Sequence, residues 1–566
     1  MNRIQDNYLR WLNSTIVSNK DKEILKNMSE EEKADAFFKN VEFGTAGMRG
    51  VLGPGTNRLN SHTVRKAVIA FAIYLIEKFD DAYISGVVIS HDNRHMSREF
   101  TLLCAKVMSE FGIKVYLFDS LRPTPELSFA IRYLKACGGI MITASHNPKE
   151  YNGFKVYDET GCQLTPDKIE RLINIIDDLP DELNVNFTPN IHPASIQILD
   201  ETIDDEYVKA VESISINKDI DKSNFPIVFT PNHGTAYVNG MRVFKDLGFD
   251  VRPLLSQCTP DPDFSNTLSP NPEDERSFIE PIKYAKEINA KLIVMTDPDG
   301  DRVGLACLNK DGQYQTFTGN QSAAMLMDYM FESLKAKGLL PEDGVVYNTV
   351  VTSPLGEVII KHFNLKYEAF LTGFKYIGSR IDYYEKRGGP VFVFGYEESY
   401  GCLIAPFARD KDGLQAITLY AEMANFYDKQ GKSLDIVWDE LGKKYGYYDD
   451  KVFNIAFFGP VGEEKMNKLM NILHTNPYIS LDGLHVVKVE DYLKSVCYED
   501  KKESKINLPK SDLVKLTFND GTVIAVRPSG TEPKVKFYMS VNSKIKENNL
   551  NRCDRLFEEL KKILEL

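Results

Sequence analysis

The chain has no run of about eighteen uncharged apolar residues, so no membrane-spanning helix is expected. It has no apolar segment of the signal-peptide kind either: Met1-Asn2-Arg3-Ile4-Gln5-Asp6 leads into a charged, amphipathic-looking stretch. Cysteine is present, but without C-x-x-C spacing. The eight residues (Cys104, Cys137, Cys162, Cys258, Cys307, Cys402, Cys497, Cys553) are scattered, several of them inside apolar strand or helix patterns. That argues against a disulfide frame or a zinc site and for reduced thiols in a cytoplasmic protein. An excess of positive charge is also missing, since 68 basic and 81 acidic residues leave a net charge of −13. The imbalance disfavours nonspecific binding to nucleic acid or to an anionic membrane. An anionic substrate must then be captured by a local basic cluster.

What is present is a long chain of ordinary globular composition. Its 566 residues exceed one domain, and roughly three to five are expected. With 43% hydrophobic and 26% charged residues, disorder is not expected. Apolar strand-like runs alternate with helical patterns over the first three-quarters. Strands are expected over 86–90 and 113–118, helices over 99–111 and 126–137, and a further strand ends at Ile142. The pattern restarts at 226–230 and 291–296, each run delivering a polar loop; later 345–351 precedes a helix, and 391–394 runs into Gly395-Tyr396-Glu397. The end of the chain differs: 513–518 and 522–526 flank Asn519-Asp520-Gly521 as a hairpin, and 549–566 reads as an amphipathic helix. The acidic, proline-punctuated stretch 181–204 and the region 428–433 are the expected first and last boundaries.

The loops carry the candidate chemistry. In Gly138-Gly-Ile-Met-Ile-Thr-Ala-Ser-His-Asn-Pro148 an apolar strand ends in a turn that presents Ser145 beside His146. Strand ends at the carboxyl edge of an α/β sheet are where such folds place their chemistry, and Ser145 is a candidate nucleophile there. The motif alone also reads as a plain polar loop.

Asp297-Pro298-Asp299-Gly300-Asp301-Arg302 sets three carboxylates at alternate positions after a strand, a pattern suited to Mg²⁺. An EF-hand fails here, because Arg302 and Leu308 occupy its sixth and twelfth positions. A solvated acidic turn is the competing reading. Arg527-Pro528-Ser529-Gly530-Thr531-Glu532-Pro533-Lys534 gathers a guanidinium, hydroxyls and turn amides, the ingredients of a phosphate nest.

The loop 43–50, with Arg49, is Gly-rich and reads equally as a flexible turn or an anion site. No Walker loop is present: Gly431-Lys432-Ser433 matches only its tail, with Phe426 at the first glycine position. Glu397-Glu398-Ser399 offers acceptors for neighbouring sugar hydroxyls, or is a charged rim. Lys375 and Lys411 are nearby candidate donors or, with lowered pKa, proton shuttles.

Taken in order, the loops at 44–50, 143–148, 297–302, 397–399 and 527–531 resemble those of the α-D-phosphohexomutase superfamily over essentially the whole chain. The long form, with Tyr-Glu-Glu-Ser-Tyr-Gly at 396–401, looks most like its bacterial α-phosphoglucomutase group near the phosphopentomutase branch. The resemblance implies an α/β protein of four domains around a central cleft. Three would be repeated α/β domains with mixed sheets (1–204, 205–314, 315–440), followed by a smaller α+β domain (441–566).

It also implies an isomerase, an intramolecular phosphotransferase that interconverts glucose 1-phosphate and glucose 6-phosphate through glucose 1,6-bisphosphate. One Mg²⁺ per chain would be held by Asp297, Asp299, Asp301 and a phosphoserine oxygen at Ser145. Lys155 matches the family's candidate general acid/base lysine, and a lysine beside cations can have its pKa lowered enough to carry the proton. Arg49 and His146 would lie near the transferring phosphate, with His146 a supporting residue. Glu397 and Ser399 would bind sugar hydroxyls, and Lys411, Lys375 and Arg302 would contact substrate. Arg527, Ser529, Gly530 and Thr531 would hold the distal phosphate.

The expected partner is a small sugar phosphate, with no nucleic acid and no membrane, bound by a monomer or homodimer. Mannomutase relatives read Gly-Glu-Met-Ser-Gly-His where this chain has Glu398, which tilts the expectation to glucose and leaves pentose and mannose phosphates as alternatives. Outside the class, a metal-dependent serine phosphatase and a noncatalytic sugar-phosphate sensor share parts of the pattern.

Overall fold

The computed structural model describes residues 3–44, 47–185, 192–457, 459–500, 502–529 and 534–566. The chain forms two compact units: 1–308 with 374–392 and 400–426, and 309–373 with 393–399 and 427–566.

In the first unit a seven-stranded mixed sheet runs in the order Phe43–Gly44, Gly47–Val51, Tyr151–Asp158, Gly138–Ile142, Val87–His91, Val115–Phe118, Ile196–Leu199. Its central strands Gly138–Ile142, Val87–His91 and Val115–Phe118 are parallel and buried at every position. Near-continuous apolar strands of this kind require helices on both faces. Helices Ser61–Lys78, Ser97–Glu110 and Pro166–Asp178 share one core with the sheet, with Val68, Phe71, Phe100, Met108 and Leu172 in it, and helix Thr124–Leu134 also packs on Val87–His91 and Gly138–Ile142. Three short helices, Arg3–Asn13, Asn19–Asn27 and Glu30–Phe37, form a separate cluster around Trp11 and Phe37. Arg10 and the Trp11 indole N–H tie it to Asp181 and Glu182 in the acidic stretch.

The second sheet pairs Leu292–Thr296 parallel to Ile227–Thr230, which is parallel to Val251–Pro253. On its other side Leu292–Thr296 is antiparallel to Val303–Leu308. The same device occurs in the first sheet, where Gly138–Ile142 has a parallel neighbour on one side and antiparallel Tyr151–Asp158 on the other. In both sheets the polar loop is therefore a hairpin connection leaving the carboxyl end of an interior strand. One carries Ser145 and the other carries the three aspartates.

In the second unit Gly344–Thr349 is parallel to Lys366–Phe370, and its other neighbour in the sheet order is strand Val391–Glu397. An antiparallel sheet follows, including Tyr447–Ala456, Lys534–Ser543, Val523–Pro528, Val514–Phe518 and Leu484–Asp491. The expected hairpin is there, Val514–Phe518 against Val523–Pro528. Leu469 and Leu473 of helix Gly459–Thr475 and Leu556 and Leu560 of Arg552–Ile563 share a core with this sheet. Among the described residues no helix is long and apolar enough to cross a membrane. All eight cysteines are free and buried.

Candidate active site

Ser145 follows strand Gly138–Ile142 and sits in the left-handed region with φ +53°. Several groups hold it there. Its N–H donates to Thr143 Oγ1 (2.8 Å), whose own hydroxyl donates to Asp92 Oδ2 (2.7 Å). The Arg94 guanidinium donates to the carbonyls of Ser145 (2.6 Å), Asn147 (2.5 Å), Pro148 (2.8 Å) and Tyr151 (3.1 Å). Arg94 also pairs with Asp92 at 3.2 Å. Gly153 closes the loop's base, because a Cβ there would lie 2.3 Å from the Thr143 carbonyl oxygen.

The fold carries this serine to the acidic loop. Ser145 Oγ donates to Asp297 Oδ2 at 2.8 Å, and lies 3.1 Å from His146 Nδ1. Asp297, Asp299 and Asp301 are buried and offer oxygens all within 4.8 Å of one another. The Asp297 carboxylate orders its own loop by accepting from the N–H groups of Asp301 and Arg302, both at 3.0 Å. Lys155 on strand Tyr151–Asp158 donates to Asp299 Oδ2 (2.8 Å) and lies 3.8 Å from Asp301. Lys411 lies 3.1 Å from Asp301 Oδ2 and 3.2 Å from Asp410.

Two like charges about 4 Å apart repel by roughly 4 kcal/mol at an effective dielectric of about 20. Burial and the neighbouring carboxylates accordingly push Asp297 well above the ordinary carboxylate range and raise Asp301. Burial works the same way on Asp299, but Lys155 outweighs it and holds that carboxyl low. The residues fit a divalent cation: Asp299 Oδ1 and Asp301 Oδ1 are buried without a hydrogen-bond partner, and hard oxygen donors are what Mg²⁺ takes.

One expectation changes. Burial opposes the charge on Lys155, and the Lys411 ammonium works the same way, but Asp299 and Asp301 outweigh both and raise its pKa, which favours the protonated form. The nearest charges to Lys155 are carboxylates. His146 goes the other way: burial, with Arg302 and Arg49 near, lowers it well below the usual imidazole range, so its ring is neutral.

Arg49, on strand Gly47–Val51, donates to Asn147 Oδ1 (3.0 Å) and so joins the Ser145 loop. Arg302 is ion-paired with Glu273 and lies 4.0 Å from Asp301. Lys375 is buried at the start of helix Phe374–Arg387, its ammonium 5.5 Å from the centre of the Tyr376 ring.

In the second unit Glu397 Oε1 accepts from Gly373 N–H (2.7 Å), and Glu398 accepts from Thr349 Oγ1 (2.9 Å). Burial and the adjacent Glu397 carboxylate raise Glu398 to about 7. Ser399 is half-buried in the turn after strand Val391–Glu397. Arg527 is half-buried near the end of strand Val523–Pro528, and Ser529 N–H donates to the Lys534 carbonyl (2.8 Å). Gly530 and Thr531 lie outside the described residues.

Sequence reasoning missed Asp92, Arg94, Thr124 and Asp410. Thr124 Oγ1 donates to Asp299 Oδ2 (3.0 Å), and Asp410 accepts from Tyr157 and Gln163 (both 2.9 Å). Ser90-His-Asp-Asn-Arg94 does end an apolar strand, the signal that exposed Ser145, and could have been found the same way.

Mixed α/β sheets thus deliver a serine and an acidic cluster on paired hairpin loops, a donor set suited to metal-assisted chemistry at the serine. Family models of phosphoglucomutase/phosphomannomutase match here: alpha/beta/alpha domains I, II and III over residues 40–182, 205–310 and 318–445, and the C-terminal domain over 477–551. The chain belongs to this family and is an isomerase of the phosphotransferase kind.

A phosphoglucomutase of Staphylococcus epidermidis is 37% identical over 545 residues, covering 95% of this chain and 97% of its own. Among solved structures, the pp63/parafusin phosphoglucomutase of Paramecium superposes with a TM-score of 0.70 at 18% identity, covering 93% of this chain and 95% of that one. A phosphoglucomutase/phosphomannomutase family protein of Burkholderia thailandensis gives a TM-score of 0.65 at 20% identity, covering 94% and 98%.

Proposed function

We propose that the chain interconverts glucose 1-phosphate and glucose 6-phosphate through a phosphorylated Ser145 and a bound glucose 1,6-bisphosphate. The observation that carries this reading is the Ser145 Oγ contact with Asp297 at the edge of a buried three-carboxylate cluster flanked by Lys155 and Lys411. The full-length relative at 37% identity named phosphoglucomutase supports the same reaction.

The group on Ser145 passes to the free C6 hydroxyl of glucose 1-phosphate, whose proton must leave as the new P–O bond forms. The bisphosphate then turns over, and its C1 phosphoryl returns to Ser145 Oγ, freeing glucose 6-phosphate. Such transfer depends on alignment and on neutralised charge. One Mg²⁺ per chain, held by Asp297, Asp299, Asp301 and a phosphoserine oxygen, would supply much of that neutralisation.

Lys155 is the general acid/base, resting in its acid form among the carboxylates. Arg49 and neutral His146 flank the transferring group. Glu397 and Ser399 receive sugar hydroxyls. Lys411, Lys375 and Arg302 contact substrate, and Arg527, Ser529, Gly530 and Thr531 hold the distal phosphate. The matched family segments support domain bounds at 1–204, 205–314, 315–440 and 441–566. Eight free, buried thiols support a cytoplasmic protein, and we assign it as a monomer or homodimer.

The test is a kcat/KM comparison of glucose 1-phosphate, mannose 1-phosphate and ribose 1-phosphate, with Mg²⁺ and a trace of the matching bisphosphate. Glucose 1-phosphate should lead. A lead for either of the others would reassign the substrate, and release of free phosphate in place of an isomer would make the protein a phosphatase.

A further inference from the structure

The strand end Pro231-Asn-His-Gly-Thr235 takes no part in the chemistry above, yet it is built at a cost. Asn232 (φ +47°) and His233 (φ +63°) are consecutive residues in the left-handed region, a conformation that costs about 1–3 kcal/mol per non-glycine residue. The surrounding core enforces it. Asn232 N–H donates to Thr230 Oγ1 (3.1 Å), His233 N–H donates to the Gln257 carbonyl (2.8 Å), and His233 Nδ1 lies 2.9 Å from the Thr259 carbonyl.

The result is a surface moulded to the aspartate loop. Asn232 Nδ2 donates to the Thr296 carbonyl (3.0 Å), and the Thr235 N–H and Oγ1 both donate to the Pro298 carbonyl (2.9 and 3.0 Å). Gly234 lies so close that a Cβ would meet Pro298 O at 2.3 Å and Pro298 Cα at 2.4 Å. Another segment grips the same loop. Thr124 N–H donates to the Asp299 carbonyl (2.9 Å), and Thr124 Oγ1 to Asp299 Oδ2 (3.0 Å). Thr124, Asn232 and Thr235 are all buried. With Oδ2 of Asp299 taken by Thr124 and Lys155, it is Oδ1 that is left without a partner.

We propose that Thr124 and the segment Asn232–Thr235 are positioning residues that hold Asp297, Asp299 and Asp301 in their ligating arrangement before a divalent cation arrives. This rests on the reading of the three aspartates as the cation site. Partners that orient metal ligands typically govern affinity by about 10–100-fold, whereas residues that merely fill space would change stability and leave affinity alone.

The experiment titrates the full-length protein with Mn²⁺ alone, following free Mn²⁺ by electron paramagnetic resonance, alongside melting of the metal-free protein. Thr124→Val and Gly234→Ala should weaken Mn²⁺ binding by about tenfold or more, and Thr124→Ser, which keeps the hydroxyl, should restore it. If Gly234→Ala does not fold, Asn232→Ala takes its place with the same expectation. Wild-type affinity in Thr124→Val together with the loop variant overturns the inference, including when their melting temperatures fall. Asp299→Asn separates the two levels. If it binds Mn²⁺ as well as wild type, or if wild type binds none, the cation reading itself falls and takes the inference with it.

Discussion

Replacing Arg94 with methionine should release the Ser145 loop without touching the serine. Arg94 and Asp92 are both fully buried, with Nε 3.2 Å from Oδ2. The guanidinium also serves the carbonyls of Ser145, Asn147, Pro148 and Tyr151. Removing one partner of a buried ion pair costs about 3–5 kcal/mol, because the other charge is left uncompensated. Each carbonyl contact alone is worth roughly 1.5–3 kcal/mol. They share one side chain and do not add, so about 3–5 kcal/mol is taken as the whole effect.

Methionine fills most of the space, which confines the loss to the polar term. At about 1.4 kcal/mol per factor of ten, local opening of the loop should become roughly 10²- to 4 × 10³-fold more frequent. Amide hydrogen exchange over residues 143–152, followed by mass spectrometry, reads that directly. The double variant Arg94→Met with Asp92→Asn should exchange more slowly than Arg94→Met alone, since the stranded charge is gone. Exchange in Arg94→Met within about threefold of wild type would refute the argument.

His474 of helix Gly459–Thr475 bridges Asp491 Oδ2 (2.9 Å) and Asp512 Oδ1 (2.8 Å), and hydrogen bonding to Asp512, then to Asp491, raises its pKa against burial. Lys494, 3.4 Å from Asp491, is the other charge at this cluster. A raised histidine stabilises fully below its unfolded pKa of about 6.5, and that contribution is lost as pH rises through the folded value. The apparent melting temperature of the C-terminal sheet should therefore fall across that window, and His474→Gln should flatten the fall; an unchanged pH profile would reject the bridge. Arg527→Ala should raise KM for glucose 1-phosphate more than it lowers kcat, and an unchanged KM would remove Arg527 from the distal-phosphate role. Chelation of divalent cations should stop turnover, with recovery on adding Mg²⁺; full activity in chelator would contradict the cation site.

Much of this organisation is legible in the sequence because it is local. The parallel strand Val87–His91 is apolar at its first three positions, and buried strands with turn residues after them announce both hairpin loops. The three aspartates declare themselves by spacing within six residues. What is not legible depends on distance in the chain. Arg94 reaches carbonyls at 145–151, Thr124 reaches Asp299, and Asp410 receives Tyr157, so no window of sequence shows these pairs. Lys155 misled for the same reason. Its charge state is set by Asp299 and Asp301, more than a hundred residues away, and not by the cations the sequence suggested. The three N-terminal helices around Trp11 were also opaque, because their partner is the acidic segment at Asp181 and Glu182.

The central claim is that Ser145 carries the phosphoryl group. Incubating the full-length protein with Mg²⁺ and glucose 1,6-bisphosphate, then mapping phosphorylation by mass spectrometry, tests it most directly. Phosphate should appear on Ser145, and an isotope label on it should pass into glucose 6-phosphate when unlabelled glucose 1-phosphate is added, the sugar's own phosphoryl replacing it on the serine; Ser145→Ala should neither take up the group nor turn over. Phosphate on another residue, or near-wild-type conversion by Ser145→Ala, would contradict the account.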